Sequence, residues 1–415
     1  MGIHLSNLLI IPFHPDESTQ LYMSADFTAL LFDPISLAYN PDTLKTEAKA
    51  RYRLLDAPLT RYLLGLGLYV THLSPPSKDW DWSRSWKENN EAGALPNPKT
   101  LLVGRCTISS LILVSLTFIY LIGKRLNGQV TGYLAMIFLG TNSLILLHNR
   151  RAMAEGALTA CEILAFWSFT QATKYPWLAG MSTALAFNAK QSAIALIPIG
   201  LLSVTWGLFD RQKFNKLLVN SWLYIVTFSL ITFLLNPSLW RSPLSAAEAS
   251  LKARKELLTN QINDIYKVEP RQVLRQPSHR LLSLIANLYL LPPATAEVGN
   301  YLEQTSKTEA TYFSHTLYRL FRNPIYGGIQ LALTFLGIAW SLFRLKQLED
   351  CSRKCLILLL LTTVSEAVFL LAMIPLTWQR YVMPLVPFIT LWISLGVSPI
   401  IEGLIQRIKK LRTTY

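Results

Sequence analysis

The sequence predicts an all-α polytopic membrane protein with about 9–11 transmembrane segments. Three observations predict it: apolar runs of spanning length, a shortage of charge, and a lopsided placement of the charge that remains. Of the 415 residues, 51% are hydrophobic and 15% charged, where a soluble chain carries about a quarter charged. Runs at 100–123, 129–148, 152–173, 217–236, 325–344, 355–375 and 381–402 approach the roughly 20 apolar residues a span requires. The stretch 176–208 is interrupted by Asn188, Lys190 and Gln191, and its length suits a hairpin turning at Lys190. Residues 57–73, entered at Pro58, and 280–293, ending in Pro292-Pro293, are shorter and suit the membrane interface. Leu5 to Phe13 is too short to cross and carries no cleavage pattern. The expectation is a truncated first span or an interfacial stub.

The charge sets the sidedness. Lys+Arg number 39 against 25 Asp+Glu, a formal +14. In a soluble protein that excess points to nucleic acid. Here the basic residues gather at the ends of apolar runs, which excludes nucleic acid in favour of the bilayer. One alternation puts Lys124, Arg125, Lys174, Arg211, Lys213, Lys216, Arg344, Lys346, Arg353, Lys354 and the tail Arg407, Lys409, Lys410 and Arg412 on one side, the cytoplasmic one. The other side receives two long segments, 14–99 and 237–324, carrying interfacial helices, within a single domain of residues 1–415. Outer segments of that length suit an enzyme handling large substrates better than a channel. The hydropathy shows no repeat of the transporter kind.

Four groups of residues carry candidate chemistry. His14-Pro15-Asp16-Glu17 follows the N-terminal apolar stub. Asp16 or Glu17 either caps the helix expected over roughly 17–32 or takes a proton from an attacking hydroxyl. Arg150, Arg151, Lys190 and Arg380 fall in short outer turns, against the positive-inside bias. Each alone is explained by snorkelling, but several at one surface suit the phosphate of an anionic lipid. Among the acids in apolar segments, Glu155 is placed to face Arg151 on a helix, while Glu162 and Glu366 have no assigned role. Asp56-Ala57-Pro58-Leu59, followed by Arg61 and Tyr62, reads as a helix entry capped by Asp56.

Phosphate-loop, HExxH and GxSxG patterns are absent, which removes the usual signs of nucleotide hydrolysis, zinc proteolysis and serine hydrolysis. Cys106, Cys161, Cys351 and Cys355 have no disulfide or zinc spacing and read as structural. No cofactor is indicated; a divalent metal beside His14 stays open.

These pieces, in this order, resemble the membrane glycosyltransferases of the C-type superfamily, in the group of the protein O-mannosyltransferases and lipid A aminoarabinose transferases. Asp16-Glu17 resembles that family's Asp-Glu pair in the first outer loop, and Asp56-Ala57-Pro58-Leu59 sits where a His-Pro-Pro-Leu-like turn is common. Arg150 to Glu155 resembles its Arg-x-Ala-Met-x-acid stretch, Ala189-Lys190-Gln191-Ser192 its Thr-Lys-Tyr-Ser turn, and Arg380-Tyr381-Val382-Met383-Pro384 its late Arg-Tyr-x-x-Pro.

The resemblance implies an inverting transferase moving a hexose or pentose from a polyprenyl-phosphate sugar to a glycan, lipid or protein acceptor of the cell envelope. It implies Asp16 as general base with Glu17 beside it, and Arg150, Arg151, Lys190 and Arg380 as phosphate-binding residues. Glu155, Asp56 and Tyr381 would support them. It also implies a prokaryotic inner membrane, with the site facing away from the cytoplasm. The rival readings are a transporter or flippase of a lipid-linked glycan and an inactive membrane scaffold.

Overall fold

The computed structural model describes residues 2–207, 213–297, 299 and 301–413. Arg211 and the side chains of Lys409, Lys410 and Arg412, expected on the basic side, lie outside the described residues. The protein is an all-α polytopic membrane protein, with no strand among those residues and one isolated bridge, Val273 to Leu376.

Among the described residues five helical stretches are long and apolar enough to cross a membrane: Pro98–Gly140, Phe214–Leu235, Pro324–Gln347, Asp350–Met373 and Gln379–Ile408. The first, at 43 residues, would run about 65 Å if straight, twice a bilayer core. It does not run straight. Asn127 and Gly128 leave helical geometry, Gly128 at φ +87°, a conformation glycine adopts without steric cost. The two arms then return side by side, close enough that a Cβ on Gly123 would strike Gly132. Helix α5 (Pro98–Ser110) and the first part of α6 (Ile112–Gly140) therefore make one passage and the rest of α6 a second, joined at the α5–α6 hairpin turn Asn127-Gly128, where the sequence predicts a break beside Lys124 and Arg125.

The chain continues through α7 (Ser143–His148), α8 (Ala154–Phe169), α9 (Pro176–Ala189) and α10 (Leu196–Thr205), with α9 and α10 forming the hairpin expected at Lys190. Lys174 before α9 and Trp206 after α10 line one cavity with Arg125 and Lys354, so both arms of the hairpin reach the basic end. α9 rises only about 21 Å over its length. Its inner residues, including Ala179, Ser182, Thr183, Ala186 and Asn188, are buried, so protein rather than lipid surrounds it. α11 (Phe214–Leu235) exposes Leu218, Trp222, Ile225, Leu230 and Phe233, a lipid-facing set. α12 (Pro243–Val268), α13 (Pro277–Ile285) and α14 (Leu302–Ser314) form the second outer segment. α15 (Pro324–Arg344), α16 (Asp350–Met373) and α17 (Val386–Thr413) complete the bundle.

The outer segments are folded onto the bundle rather than draped over it. In the first, short helices at Pro15–Met23, Asp26–Phe32, Ala48–Leu55 and Leu59–Val70 pack around buried Asp26, whose carboxylate accepts from Arg53 at 2.8 and 3.0 Å and lies 3.5 Å from Arg61. The expected 17–32 helix is thus two helices, broken at Ser24-Ala25. The expected interfacial stretch 57–73 contains the helix Leu59–Val70, and 280–293 overlaps α13, which begins earlier, at Pro277. α12 crosses from Leu54, whose carbonyl accepts from Ser250 Oγ at 2.6 Å, to Leu376 and Trp378, which pack on Ile265.

Candidate active site at the outer-segment end

His14 begins the site by capping the helix Pro15–Met23. Its Nδ1 accepts the Asp16 amide at 3.1 Å, and the Glu17 carboxylate accepts the His14 amide at 3.2 Å. Pro15 suits the first helical position because no amide is needed there. Neither Asp16 nor Glu17 is the cap, contrary to the sequence expectation. His14 holds that position and Glu17 completes the reciprocal box.

The two neighbouring acids then diverge. Glu17 points inward and is fully buried, where Arg105 grips both its oxygens at 2.8 and 2.6 Å and the Ala152 amide donates at 2.9 Å. Every oxygen is engaged, so its place is that of an anchor joining the first outer segment to α5 and to the turn before α8. Asp16 keeps about a third of its side chain exposed and forms an ion pair with Arg380.

Arg380 is the hub. Its guanidinium meets Asp16, lies 3.4 Å from Glu297 through Nε, and rests 4.9 Å from the centre of the Trp378 ring. Glu297 in turn accepts from His14 Nε2 at 3.0 Å; because Nδ1 is occupied as an acceptor, Nε2 carries the proton. Burial would raise the Glu297 carboxyl, but Arg380 and His14 outweigh it and hold the group below the ordinary carboxylate range.

Two contacts set this geometry from the second outer segment. Gln379 donates to the Pro292 carbonyl at 3.1 Å and accepts the Ala294 amide at 2.6 Å. The Val273–Leu376 bridge ties the chain just before Trp378. Tyr381, next to the hub, is half-buried and stacks on Trp378 at 5.6 Å.

Lys190 reaches the same region from the tip of the α9–α10 hairpin. Its ammonium lies 2.7 Å from Glu155, whose carboxylate also feels Arg380. The expected Glu155–Arg151 pair does not form. Helix α8 begins only at Ala154, so residues 149–153 are not helical and the four-residue spacing has no meaning there.

Arg150 and Arg151 also depart from expectation. Both are buried, at 0% and 1% exposure. Arg151 donates to the carbonyls of Pro12 and Thr295, and Arg150 to the carbonyl of Ser6 while lying 5.1 Å over Tyr318. They fasten main chain of the two outer segments, and neither is at a surface where an arriving phosphate would meet it. Of the four cations expected to bind phosphate, Arg380 pairs with Asp16, and Lys190 pairs with Glu155, whose carboxylate Arg380 also influences.

Asp56 is half-buried between two helices and does not cap Leu59–Val70, which has no side-chain cap; Pro58 stands at that position. Burial raises the Asp56 carboxyl, Arg254 and Arg61 oppose the shift, and Asp16 and Asp79 add to it. Asp79 accepts from Tyr52 and Thr19 at 2.5 and 2.7 Å, with burial again the main upward influence.

Sequence reading missed Glu297, Arg105 and Arg254. Glu297 sits in an irregular stretch after Pro292-Pro293 with no periodicity to mark it. Arg105 did leave a signal, a cation inside an apolar run. Arg254 on α12 donates to Gln191 at 2.6 and 3.1 Å, beside Lys190. Glu162 and Glu366 stay without a role: both are buried in the bundle, and none of their carboxylate oxygens has a hydrogen-bond partner.

No ready metal-ligand set gathers at His14 among the described residues. Arg380 already lies between Asp16 and Glu297, where a metal ion would have to sit. Among the described residues no group of three His, Cys, Asp or Glu side chains is arranged to hold an ion.

Residues 103–240 match the family model described as dolichyl-phosphate-mannose-protein mannosyltransferase. None of the curated proteins matches the chain. Among solved structures, ArnT from Cupriavidus metallidurans bound to undecaprenyl phosphate superposes with a TM-score of 0.54 at 11% identity, over 95% of this chain and 58% of that one. The oligosaccharyltransferase of Archaeoglobus fulgidus in its apo form gives 0.48 at 11% identity, over 95% and 52% of the two chains. The chain thus spans little more than half the length of these structures. The mannosyltransferase family model matches a stretch of about a third of the chain, and the superposition on ArnT over nearly all its length shows a shared all-helical fold.

Proposed function

We propose that the chain transfers a sugar from a polyprenyl-phosphate carrier to a cell-envelope glycan, lipid or protein acceptor on the non-cytoplasmic face of the membrane, with inversion at the anomeric carbon. The observation that carries this reading is the partly exposed Asp16 carboxylate held against Arg380, with the Lys190–Glu155 pair beside it.

In the proposed step the acceptor oxygen attacks the anomeric carbon from the Asp16 side, and Asp16 takes its proton. The bond from that carbon to the phosphate oxygen breaks on the opposite face. Charge grows on the leaving phosphate, and fixed cations stabilise that change because they need no reorganisation. Lys190 and Arg380 supply them, with Arg254 near Lys190 as a further donor. The Asp16–Arg380 pair is then a resting arrangement: a phosphate arriving beside Arg380 draws part of the guanidinium away and frees Asp16 as a base. Glu297 and His14 keep Arg380 in place during that exchange. Glu17 serves as an anchor for Asp16, and Arg150 and Arg151 hold the outer segments.

The test is transfer from synthetic polyprenyl-phosphate sugars by purified protein in lipid nanodiscs. Loss of a general base costs roughly 10²–10⁴ in rate, so Asp16→Asn should fall in that range while melting like wild type. Asn at full rate removes Asp16 as base. Protein-dependent movement of labelled carrier with no glycosidic bond formed, from any of several donors, would replace the transferase reading by a flippase.

A further inference from the structure

At the end of the bundle opposite Asp16 lies a cavity of about 630 Å³ that the transfer reaction does not use. Four separate parts of the chain build it: Arg125 at the α5–α6 hairpin, Thr170 and Lys174 in the α8–α9 turn, Trp206 after α10, and Lys354 in the first turns of α16.

Its charge is one-sided. The acid in its lining, Asp350, is already paired with Arg353. Among the described residues no carboxylate lies within ion-pair distance of Arg125, Lys174 or Lys354. Arg125 has only neutral acceptors, Thr170 Oγ1 at 3.0 Å and Cys351 Sγ at 3.2 Å. Lys354 is 8% exposed and makes a single long bond, 3.3 Å to the Ser203 carbonyl. A buried ammonium with one weak neutral acceptor is costly unless an anion joins it. The cavity also faces the N-terminal turn of the 24-residue helix α16, where the helix dipole favours negative charge. Generic positive-inside charge would sit on exposed loop side chains, as Lys124 does. It does not require a concave site with a buried lysine and a tryptophan at its edge.

We propose that this cavity binds a phosphate-bearing anion, with Arg125, Lys174 and Lys354 as its cations. The headgroup of an anionic phospholipid and a free phosphate share that chemistry. The proposal does not depend on sugar transfer.

The experiment uses the full chain in detergent, read by native mass spectrometry and by melting. One arm titrates phosphatidylglycerol against phosphatidylcholine; the other titrates sodium phosphate against sodium chloride at matched ionic strength. Wild type should retain phosphatidylglycerol selectively, and Arg125→Gln/Lys354→Gln should bind it about tenfold or more weakly, a loss of at least one charge-assisted contact. Lys124→Gln removes a charge at the same end outside the cavity and should bind as wild type. Stabilisation by phosphate without selective lipid retention supports the site and assigns it to a soluble phosphate. Should the double variant misfold, Lys174→Gln, exposed at the rim, should still weaken binding severalfold. Equal retention of both lipids with no effect of phosphate, or equal weakening by Lys124→Gln, overturns the proposal.

Discussion

Asp16 and Glu17 are adjacent, yet the roughly 100° step between neighbouring helical residues separates an accessible carboxylate from a buried anchor. Removing each should therefore fail differently. Glu17→Gln leaves Arg105 buried against a neutral partner, and breaking a buried pair costs about 3–5 kcal/mol. The expected result is a clear drop in melting temperature, whereas Asp16→Asn keeps stability and loses transfer. Glu297 makes a pH prediction. Its folded carboxyl is held below the unfolded one, so its stabilisation is complete above the ordinary glutamate value of about 4.3 and fades as pH falls below it. Wild type minus Glu297→Gln in melting temperature should thus be largest near neutral pH and shrink on acidification. A difference that grows with acid would contradict the sign. At this scale the sequence was half legible. Lys190 and Arg380 stood out as cations at turns where the positive-inside bias disfavours them, and Asp16 as one of two adjacent carboxylates after the N-terminal stub. Glu297 did not, because its loop is brought back to the hub only by tertiary contacts, from Gln379, Arg151 and His14, that leave no pattern in the sequence. Arg105, a cation in an apolar run, carried a legible signal for a buried acidic partner, yet the sequence reading missed it.

The helices were legible wherever lipid is the solvent, since apolar length alone then determines them. Legibility dropped inside the bundle. α9 and α10 are too short to read as spans individually, and only Lys190 between them betrayed the turn. Residues 149–151 read as a short turn, and the irregular stretch runs on to Met153, with the Arg150 and Arg151 side chains reaching carbonyls of the outer segments. Helix contact depends on small residues. A Cβ on Gly337 of α15 would strike the Trp392 carbonyl of α17, and one on Gly396 would strike the Leu333 carbonyl. Side chains beyond hydrogen force these helices apart, and because packing rather than the hydrophobic effect holds membrane helices together, the contact is lost with them. Gly337→Leu should destabilise by about 1–3 kcal/mol or more, seen as lower melting and faster proteolysis of the α15–α16 connection. A fully stable variant would show that the two helices do not approach so closely.

Across the whole molecule the charges segregate by end, and this arrangement makes the proposed sidedness testable without any substrate. The cavity of Arg125, Lys174 and Lys354 and the cluster of Asp16, Lys190 and Arg380 are connected by α8, α9 and α10, each of which begins at one and finishes at the other. Inserting the bundle upside down would place some ten unpaired basic side chains on the translocated side, a cost the positive-inside bias reflects. Cys351 is exposed at the basic end, and Leu244, 85% exposed, begins α12 in the second outer segment. In a background with Cys106, Cys161 and Cys355 replaced by Ala, a membrane-impermeant maleimide should label Cys351 only in inside-out vesicles. With Cys351 also replaced, Leu244→Cys should be labelled only in right-side-out vesicles or intact cells. Labelling of both positions from one face would break the alternation of passages. Labelling of each from the face opposite to that expected would keep the fold but move the Asp16 cluster to the cytoplasm, where the acceptor would have to be sought instead.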